Sequence, residues 1–160
     1  MSEIIRVGMA DMKSAHAGKR LRTTGLGSCV GIIIYDEKTS SAVMAHIMLP
    51  DSQNTSAPVK RAKFADTAIE DMINYFLGQR IPKHRLRAKI AGGAQMFSFS
   101  NSDTFRIGPR NTEAVKQLLS DASIRIVFED TGGTSGRTIE FNPEDQRLEI
   151  RTVHKGVVTA

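Results

Sequence analysis

The chain contains a single cysteine, Cys29, and a histidine 17 residues further on, His46. Cys29 follows the glycine-rich stretch "TTGLGS" and precedes the apolar run "VGIIIY", whereas His46 interrupts the apolar stretch "AVMAHIML". A thiol becomes a nucleophile when a neighbouring base such as an imidazole removes its proton. The competing interpretation is structural, because a lone cysteine often packs as a small hydrophobe and a histidine in an apolar run is often a satisfied core residue.

The two residues lie in segments that predict a β-hairpin. Both apolar runs have strand composition, and "DEKTSS" between them has the composition of a turn. If the hairpin turns near Glu37–Ser40, His46 lies opposite about Gly31, and Cys29 is only two residues beyond that glycine. The thiol and the imidazole are therefore predicted at the same end of one hairpin, which leaves both a catalytic and a structural interpretation open.

The glycines before Cys29 bear on how a ligand could reach the thiol. Glycine lets a backbone turn tightly and approach a ligand closely, and consecutive N–H groups in such a turn can face a developing oxyanion. Gly27 and Ser28 are accordingly predicted to bind the oxyanion or the substrate. No metal site is predicted, since the sequence has no HExxH or CxxC motif, and the glycine pairs of "AGGA" and "DTGGTSGR" match no nucleotide-binding loop.

A third polar residue could orient the imidazole. Thr23 and Thr24 precede the cysteine loop, and their hydroxyls suit this role, although ordinary strand threonines are the alternative. Asp51 and Ser52 follow the histidine strand, and there the capping of a loop is the more typical use of such side chains.

The elements that must position these residues follow from periodicity. Strands alternate apolar and polar residues or form short apolar runs, and helices repeat apolar residues every three or four positions. The patterns predict strands at 3–9, 29–36, 42–49, 87–94 and 123–130, a closing hairpin at 137–142 and 147–153, a helix at 62–77 stopped by Gly78, and a helix at 111–122 capped by Asn111. Hairpins dominate, which favours an α/β fold with a mixed, largely antiparallel sheet and at least two helices.

Composition narrows the class of protein. The 160 residues suit one domain, here predicted to span 1–160, and the N-terminus has no signal peptide, so a reducing cytoplasm is expected for the single cysteine. No apolar run is long enough for a membrane span. The net charge of +5 favours acidic partners, but the basic residues are scattered, and 6% aromatics without tryptophan argue against nucleic-acid binding.

Several motifs together resemble one family. "LGSC", "HIMLPDS", "KFADTAI", "AKIAGGAQMF", "IGPRN" and "EDTGGTSGRTIEFN" occur in the order shown by the chemoreceptor glutamine deamidases, the CheD family. The resemblance implies a cytoplasmic enzyme without metal or organic cofactor. Such an enzyme hydrolyses glutamine side chains of methyl-accepting chemotaxis receptors to glutamate and ammonia through a cysteine thioester. It further implies Cys29 as nucleophile, His46 as general base and Thr23 as the third member of the triad, on an α/β sandwich similar to the catalytic domains of glutamine-deamidating toxins.

The same resemblance implies a CheC-type chemotaxis phosphatase as a second partner. The protein could then act mainly as a non-catalytic binding regulator of that phosphatase. An amidase or esterase for small molecules is a third interpretation, because a thiolate–imidazole pair can attack either carbonyl type. The polar loop from Pro50 to Arg61 is long for a compact domain, and the sequence does not separate a substrate lid from a tether.

Overall fold

The computed structural model describes residues 3–53, 55–56, 60–95, 106–153 and 155–160. Within these residues the chain forms ten β-strands, two α-helices and two single-turn 3₁₀ helices at Arg61–Lys63 and Lys83–Arg85. The strands are β1 (Glu3–Arg6), β2 (Met12–His16), β3 (Lys19–Leu26), β4 (Val30–Asp36), β5 (Ser41–Ile47), β6 (Arg87–Gly92), β7 (Arg125–Thr131), β8 (Arg137–Asn142), β9 (Arg147–Thr152) and β10 (Gly156–Thr159), and the helices are α1 (Ala65–Gly78) and α2 (Ile107–Asp121).

The strands form two five-stranded sheets. The outer sheet has the order β1-β3-β8-β9-β10, and the central sheet has the order β2-β5-β4-β6-β7. The pairs β1–β3 and β6–β7 are parallel, and the other pairs between these strands are antiparallel. The predicted α/β sandwich with mixed, largely antiparallel strands and two helices is confirmed.

The central sheet is covered on both faces. Every residue of β4 and β5 is buried, as their apolar composition predicts. Successive side chains of β4 alternate between two cores: Ile32 and Ile34 pack towards the helices, whereas Ile33 and Tyr35 pack towards the outer sheet. The chain is thus layered as outer sheet, central sheet and helices.

The helices cover the far face of the central sheet. The buried positions of α1 recur with helical spacing, and α1 ends at Gly78 as predicted. No helix in the described residues is long and apolar enough to cross a membrane.

The structure corrects the predicted start of the second helix. This helix begins at Ile107, one turn before the predicted cap, so Asn111 lies inside the helix and does not cap it. The physical reason is that the Asn111 side chain is wholly buried and donates hydrogen bonds to carbonyls of other elements, so it does not serve its own helix.

Three strands were not predicted: β2, β3 and β10. Strand β3, "KRLRTTGL", carries basic and glycine residues that disfavour a strand by composition, yet its alternate residues Leu21 and Thr23 are buried between the sheets. Strand β10 is exposed along its whole length and pairs only at its edge with β9.

A candidate cysteine–histidine–threonine site between the two sheets

The hairpin of β4 and β5 places His46 as the sequence predicts. His46 pairs with Gly31, and the chain turns between Asp36 and Ser41. Cys29 immediately precedes β4, is partly buried, and packs against the core between the two sheets. Because Cys29 lies diagonal to His46 across the pair, their Cβ atoms are expected about 7–8 Å apart. The two side chains therefore lie on the same face and at the same end of the hairpin.

Thr23 reaches this face from the other sheet. Its hydroxyl lies 2.7 Å from His46 Nδ1, and the same hydroxyl donates to the carbonyl of Val7 at 2.7 Å. The pairing of β3 with β8 shifts register between Thr23 and Leu26, which marks a bulge directly after Thr23. Bulges commonly redirect a side chain beside a functional site. The neighbouring Thr24 is exposed, so the structure brings Thr23 and not Thr24 to the imidazole.

These two hydrogen bonds determine which ring nitrogen of neutral His46 carries the proton. A threonine hydroxyl has one proton, and a carbonyl can only accept, so the Thr23 proton is used by the carbonyl of Val7. The short contact with His46 then requires that Nδ1–H donates to Thr23 Oγ1. Nε2 is left with its lone pair, and this buried atom has no hydrogen-bond partner among the described residues. A free imidazole lone pair is what a general base needs.

The electrostatics favour neutral forms of both groups. Burial lowers the pKa of His46 below its ordinary value of 6.5. Burial also raises the pKa of the Cys29 thiol, although the backbone N–H of Cys29 itself opposes this rise. No hydrogen bond joins Cys29 to His46 in the described structure. Both shifts favour a neutral thiol and a neutral imidazole over a thiolate–imidazolium pair.

The backbone of the cysteine loop is held by its carbonyl groups. Gly27 O accepts from Ala94 N–H at 2.9 Å, and Cys29 O accepts from Gly93 N–H at 2.8 Å. Gly27 N–H is occupied by the carbonyl of Gly25. The N–H groups of Ser28 and Cys29 donate to no backbone carbonyl of another described residue. Among the described residues, no backbone carbonyl therefore competes for these two N–H groups, and that of Cys29 also acts on its own sulfur.

Two glycines allow the end of β6 to lie against the cysteine loop and the following residue to lie against α2. Gly92 has φ +116°, and a Cβ atom there would clash with the carbonyl oxygen of Cys29. At Gly93, with φ +66°, a Cβ atom would lie on the Thr112 hydroxyl of α2. Only glycine fits such contacts at positive φ. The sequence showed this pair as "AGGA", but the close packing of Gly92 on Cys29 and of Gly93 on α2 was not predicted.

Arg137 is a second residue that sequence reasoning missed. Its buried guanidinium donates to the carbonyls of Gly92 and Gly132 and contacts Asp130 at 3.3 Å. It thereby ties the glycine turn behind Cys29 to the loop after β7. Arg137 ends the glycine-rich stretch "GGTSGR", and a buried guanidinium needs hydrogen-bond partners such as the carbonyls of that loop.

The other polar candidates lie in the loop after β5. Ser52 donates its N–H and hydroxyl to Asp66 in the first turn of α1, and Asp51 accepts from Gln53 N–H, as loop capping predicts. Residues 54 and 57–59 of the predicted loop lie outside the described residues. Among the residues that are described, no three His, Cys, Asp or Glu side chains are grouped so that they could hold a metal ion.

Comparison with known proteins identifies the family. The model of the CheD family, described as CheD chemotactic sensory transduction, matches residues 48–152, a region that begins after His46. Chemoreceptor glutamine deamidase CheD of Halalkalibacterium halodurans is 52% identical over 98% of this chain and 98% of its own length. The protein of the same name from Bacillus subtilis is 49% identical over 98% of this chain and 95% of its own length.

A solved Neisseria meningitidis protein shares the fold alone. Its TM-score is 0.52 at 9% identity, and the similarity covers 83% of this chain and 65% of that chain. The matched family model and the full-length similarity to two proteins of one name together show that this chain belongs to the CheD family.

Proposed function

We propose that this chain is a chemoreceptor glutamine deamidase that hydrolyses glutamine side chains of methyl-accepting chemotaxis receptors to glutamate and ammonia. The proposal is supported by the names of relatives that are about half identical over nearly the whole chain. The observation that carries it is the hydrogen bond between Thr23 and His46 Nδ1, which leaves Nε2 free on the hairpin face that bears Cys29.

In the first step, His46 Nε2 takes the proton of the Cys29 thiol. The thiolate attacks the carboxamide carbon of the substrate glutamine, and the C–S bond forms as the carbonyl electrons move to oxygen. The N–H groups of Ser28 and Cys29 stabilise this oxyanion, which refines the predicted role of the Gly27–Ser28 turn. A neutral resting pair suits this order of events, because the base acts only as the nucleophile attacks.

The intermediate collapses when the C–N bond breaks. Protonated His46 gives its proton to the leaving nitrogen, ammonia departs and a Cys29 thioester remains. Water then loses a proton to His46 and attacks the thioester carbon. The C–S bond breaks, and the thiol and a glutamate side chain are regenerated. The steps use no metal or organic cofactor.

Thr23 acts through His46 as a positioning residue. Its hydroxyl accepts the Nδ1 proton, so the ring is held in the tautomer whose Nε2 lone pair can take a proton. When Nε2 becomes protonated, the Nδ1–H bond becomes charge-assisted and stronger, which stabilises the imidazolium. The third member of other catalytic triads holds the imidazole in the same way.

We also propose a setting for the enzyme. The deamidase domain spans residues 1–160 and works in the cytoplasm, where the net charge of +5 attracts acidic receptor helices on encounter. A CheC-type phosphatase is proposed as a second partner. Binding of that phosphatase by the wild type and by Cys29→Ala should be equal in a pull-down, because an adaptor contact does not need the thiol. Loss of capture with Cys29→Ala would tie the partner to the active thiol.

The function is tested with a receptor cytoplasmic fragment and mass spectrometry. Wild type should convert specific glutamines to glutamate and leave free glutamine unchanged, and Cys29→Ala should convert none. Val30→Ala is the matched control, since Val30 is the buried neighbour that packs on the opposite, helical face of the sheet. Conversion by Cys29→Ala at the wild-type rate would refute the mechanism. No conversion by wild type would favour the regulator, and hydrolysis of free glutamine would favour the small-molecule amidase.

A further inference from the structure

Asn111 occupies an unusual place for a polar side chain. It lies in the second turn of α2, is wholly buried and donates from Nδ2 to two carbonyls, those of Ser28 and Met48, at 3.0 Å each. Its Oδ1 has no hydrogen-bond partner among the described residues. Neither carbonyl belongs to α2, so the side chain serves the β-hairpin and not its own helix.

The two carbonyls mark the point where the hairpin ceases to pair. The β4–β5 ladder ends at the pair Val30 and Ile47, and the next residues along the two arms are Cys29 and Met48. Beyond this pair the arms diverge, because Met48 N–H donates to the carbonyl of Lys63. The amide of Asn111 thus joins the two arms where ladder hydrogen bonds are missing, one residue before the thiol and two residues after His46.

The Ser28 carbonyl has a direct link to the thiol. It shares one planar peptide unit with the N–H of Cys29, and in a trans peptide these two groups point in opposite directions. Holding the carbonyl on Asn111 therefore sets the direction of the Cys29 N–H. That N–H lowers the pKa of the Cys29 thiol, against the effect of burial. Among the described residues, no backbone carbonyl accepts from this N–H.

We propose that Asn111 is a positioning residue that fixes the Ser28–Cys29 peptide against the end of the His46 strand. It touches neither substrate nor the reacting atoms. It acts through the peptide, which presents the thiol and the Cys29 N–H in the geometry needed for attack. This inference deepens the proposed function, and it rests on that function only for the identity of the reaction.

The contrasting interpretation is that Asn111 merely anchors α2 to the sheet. The two interpretations differ in what happens to the thiol. A simple anchor lowers stability when it is removed, whereas a positioning residue also changes the reactivity of Cys29 in molecules that remain folded. Because Cys29 is the only cysteine, its alkylation by iodoacetamide reports on this one thiol without any receptor.

The test compares Asn111→Leu, which keeps the size of the side chain and removes both donors, with Val115→Ala. Val115 is wholly buried one turn further along α2, in the core between the helices and the central sheet. Its truncation therefore weakens the packing of α2 on this sheet without touching the cysteine loop. Asn111→Ser, with one short donor, is the second variant if Asn111→Leu does not fold. Thermal melting identifies the folded fraction of each protein.

In folded Asn111→Leu, the N–H of Cys29 is no longer held towards the thiolate. We expect alkylation of Cys29 at neutral pH to be about three- to tenfold slower, because the thiolate loses this one hydrogen bond. The pH at which alkylation of this variant reaches half of its maximal rate should rise. On a receptor fragment, kcat should fall roughly 10–100-fold because small misplacements of reacting groups are costly, while KM stays within about twofold.

Val115→Ala should keep the wild-type pH profile and kcat despite a lower melting temperature. The proposal is overturned if folded Asn111→Leu, or folded Asn111→Ser in its place, alkylates with the wild-type profile and loses no more kcat than Val115→Ala. A failure of wild type to deamidate receptors would refute the proposed function and leave the alkylation comparison intact.

Discussion

Replacing Thr23 with valine tests the arrangement between the sheets most directly. Valine keeps the β-branched shape and removes only the hydroxyl, which makes two buried hydrogen bonds of 2.7 Å. The carbonyl of Val7 and the Nδ1–H of His46 are then left without this partner. Each unsatisfied buried group costs about 1–3 kcal/mol, so the free energy of unfolding should fall by about 2–6 kcal/mol.

The effect of Thr23→Val on catalysis comes from the difference between the two forms of His46. The bond from neutral Nδ1–H is worth about 0.5–1.5 kcal/mol, and the bond from the imidazolium about 1.5–3 kcal/mol. The imidazolium therefore loses about 1–1.5 kcal/mol more than the neutral ring, which slows the step about 5- to 12-fold. Release of the ring to its other tautomer adds to this loss, so we expect kcat to fall roughly 10–100-fold.

The assay is receptor deamidation followed by mass spectrometry, with urea unfolding for stability. Thr23→Ser keeps the hydroxyl and should retain most of kcat. Thr24→Val removes the hydroxyl of the adjacent exposed threonine and should stay within about twofold of wild type. If Thr23→Val deamidates as fast as Thr24→Val, the imidazole does not depend on Thr23 and the role given to this hydroxyl is refuted.

Two further outcomes follow from the pKa of His46 and the fit of Gly92. Burial lowers the pKa of His46, so the base form of the imidazole persists below pH 6.5. As the pH is lowered, kcat/KM should therefore fall only when the pH passes through that lowered pKa. A fall of kcat/KM that already begins above pH 6.5 on acidification would contradict this. Gly92→Ala combines positive φ with a backbone clash against Cys29 O, whereas Gly18→Ala has positive φ and open space. In urea titrations, Gly18→Ala should lower the free energy of unfolding by about 1–3 kcal/mol, and Gly92→Ala should lower it distinctly more. Equal losses for the two variants would show that the contact of Gly92 with Cys29 is unimportant.

The hairpin of β4 and β5 was predictable because its information is local. A turn segment between two apolar runs sets the register, and the register alone pairs His46 with Gly31. The helix α1 was predictable for a similar reason, since its apolar residues repeat along one stretch of chain and a glycine ends it. The start of α2 was wrong because Asn111 is a favoured cap by residue type, and only contacts with distant carbonyls explain its position inside the helix.

The sequence offered Thr23 and Thr24 as partners of the imidazole and the resemblance selected Thr23, but the hydrogen bond to Nδ1 could not be read from spacing. Thr23 and His46 belong to different sheets, and the sequence did not predict that β3 exists as a strand. The same holds for Gly92 and Arg137, whose partners around Cys29 are far away in sequence.

The sequence by itself determined the α/β class, the hairpin and the common end of that hairpin for Cys29 and His46. These features depend on residues near one another in the chain, where periodicity and turn composition act. Only the tertiary structure decided that a second sheet lies over the pair, that Thr23 and Val7 select the proton position on His46, and that Asn111 holds the peptide before Cys29. The sheets meet through an apolar core, and the contacts of Thr23 and Asn111 are hydrogen bonds between residues distant in sequence. Such contacts form only when the layers pack together.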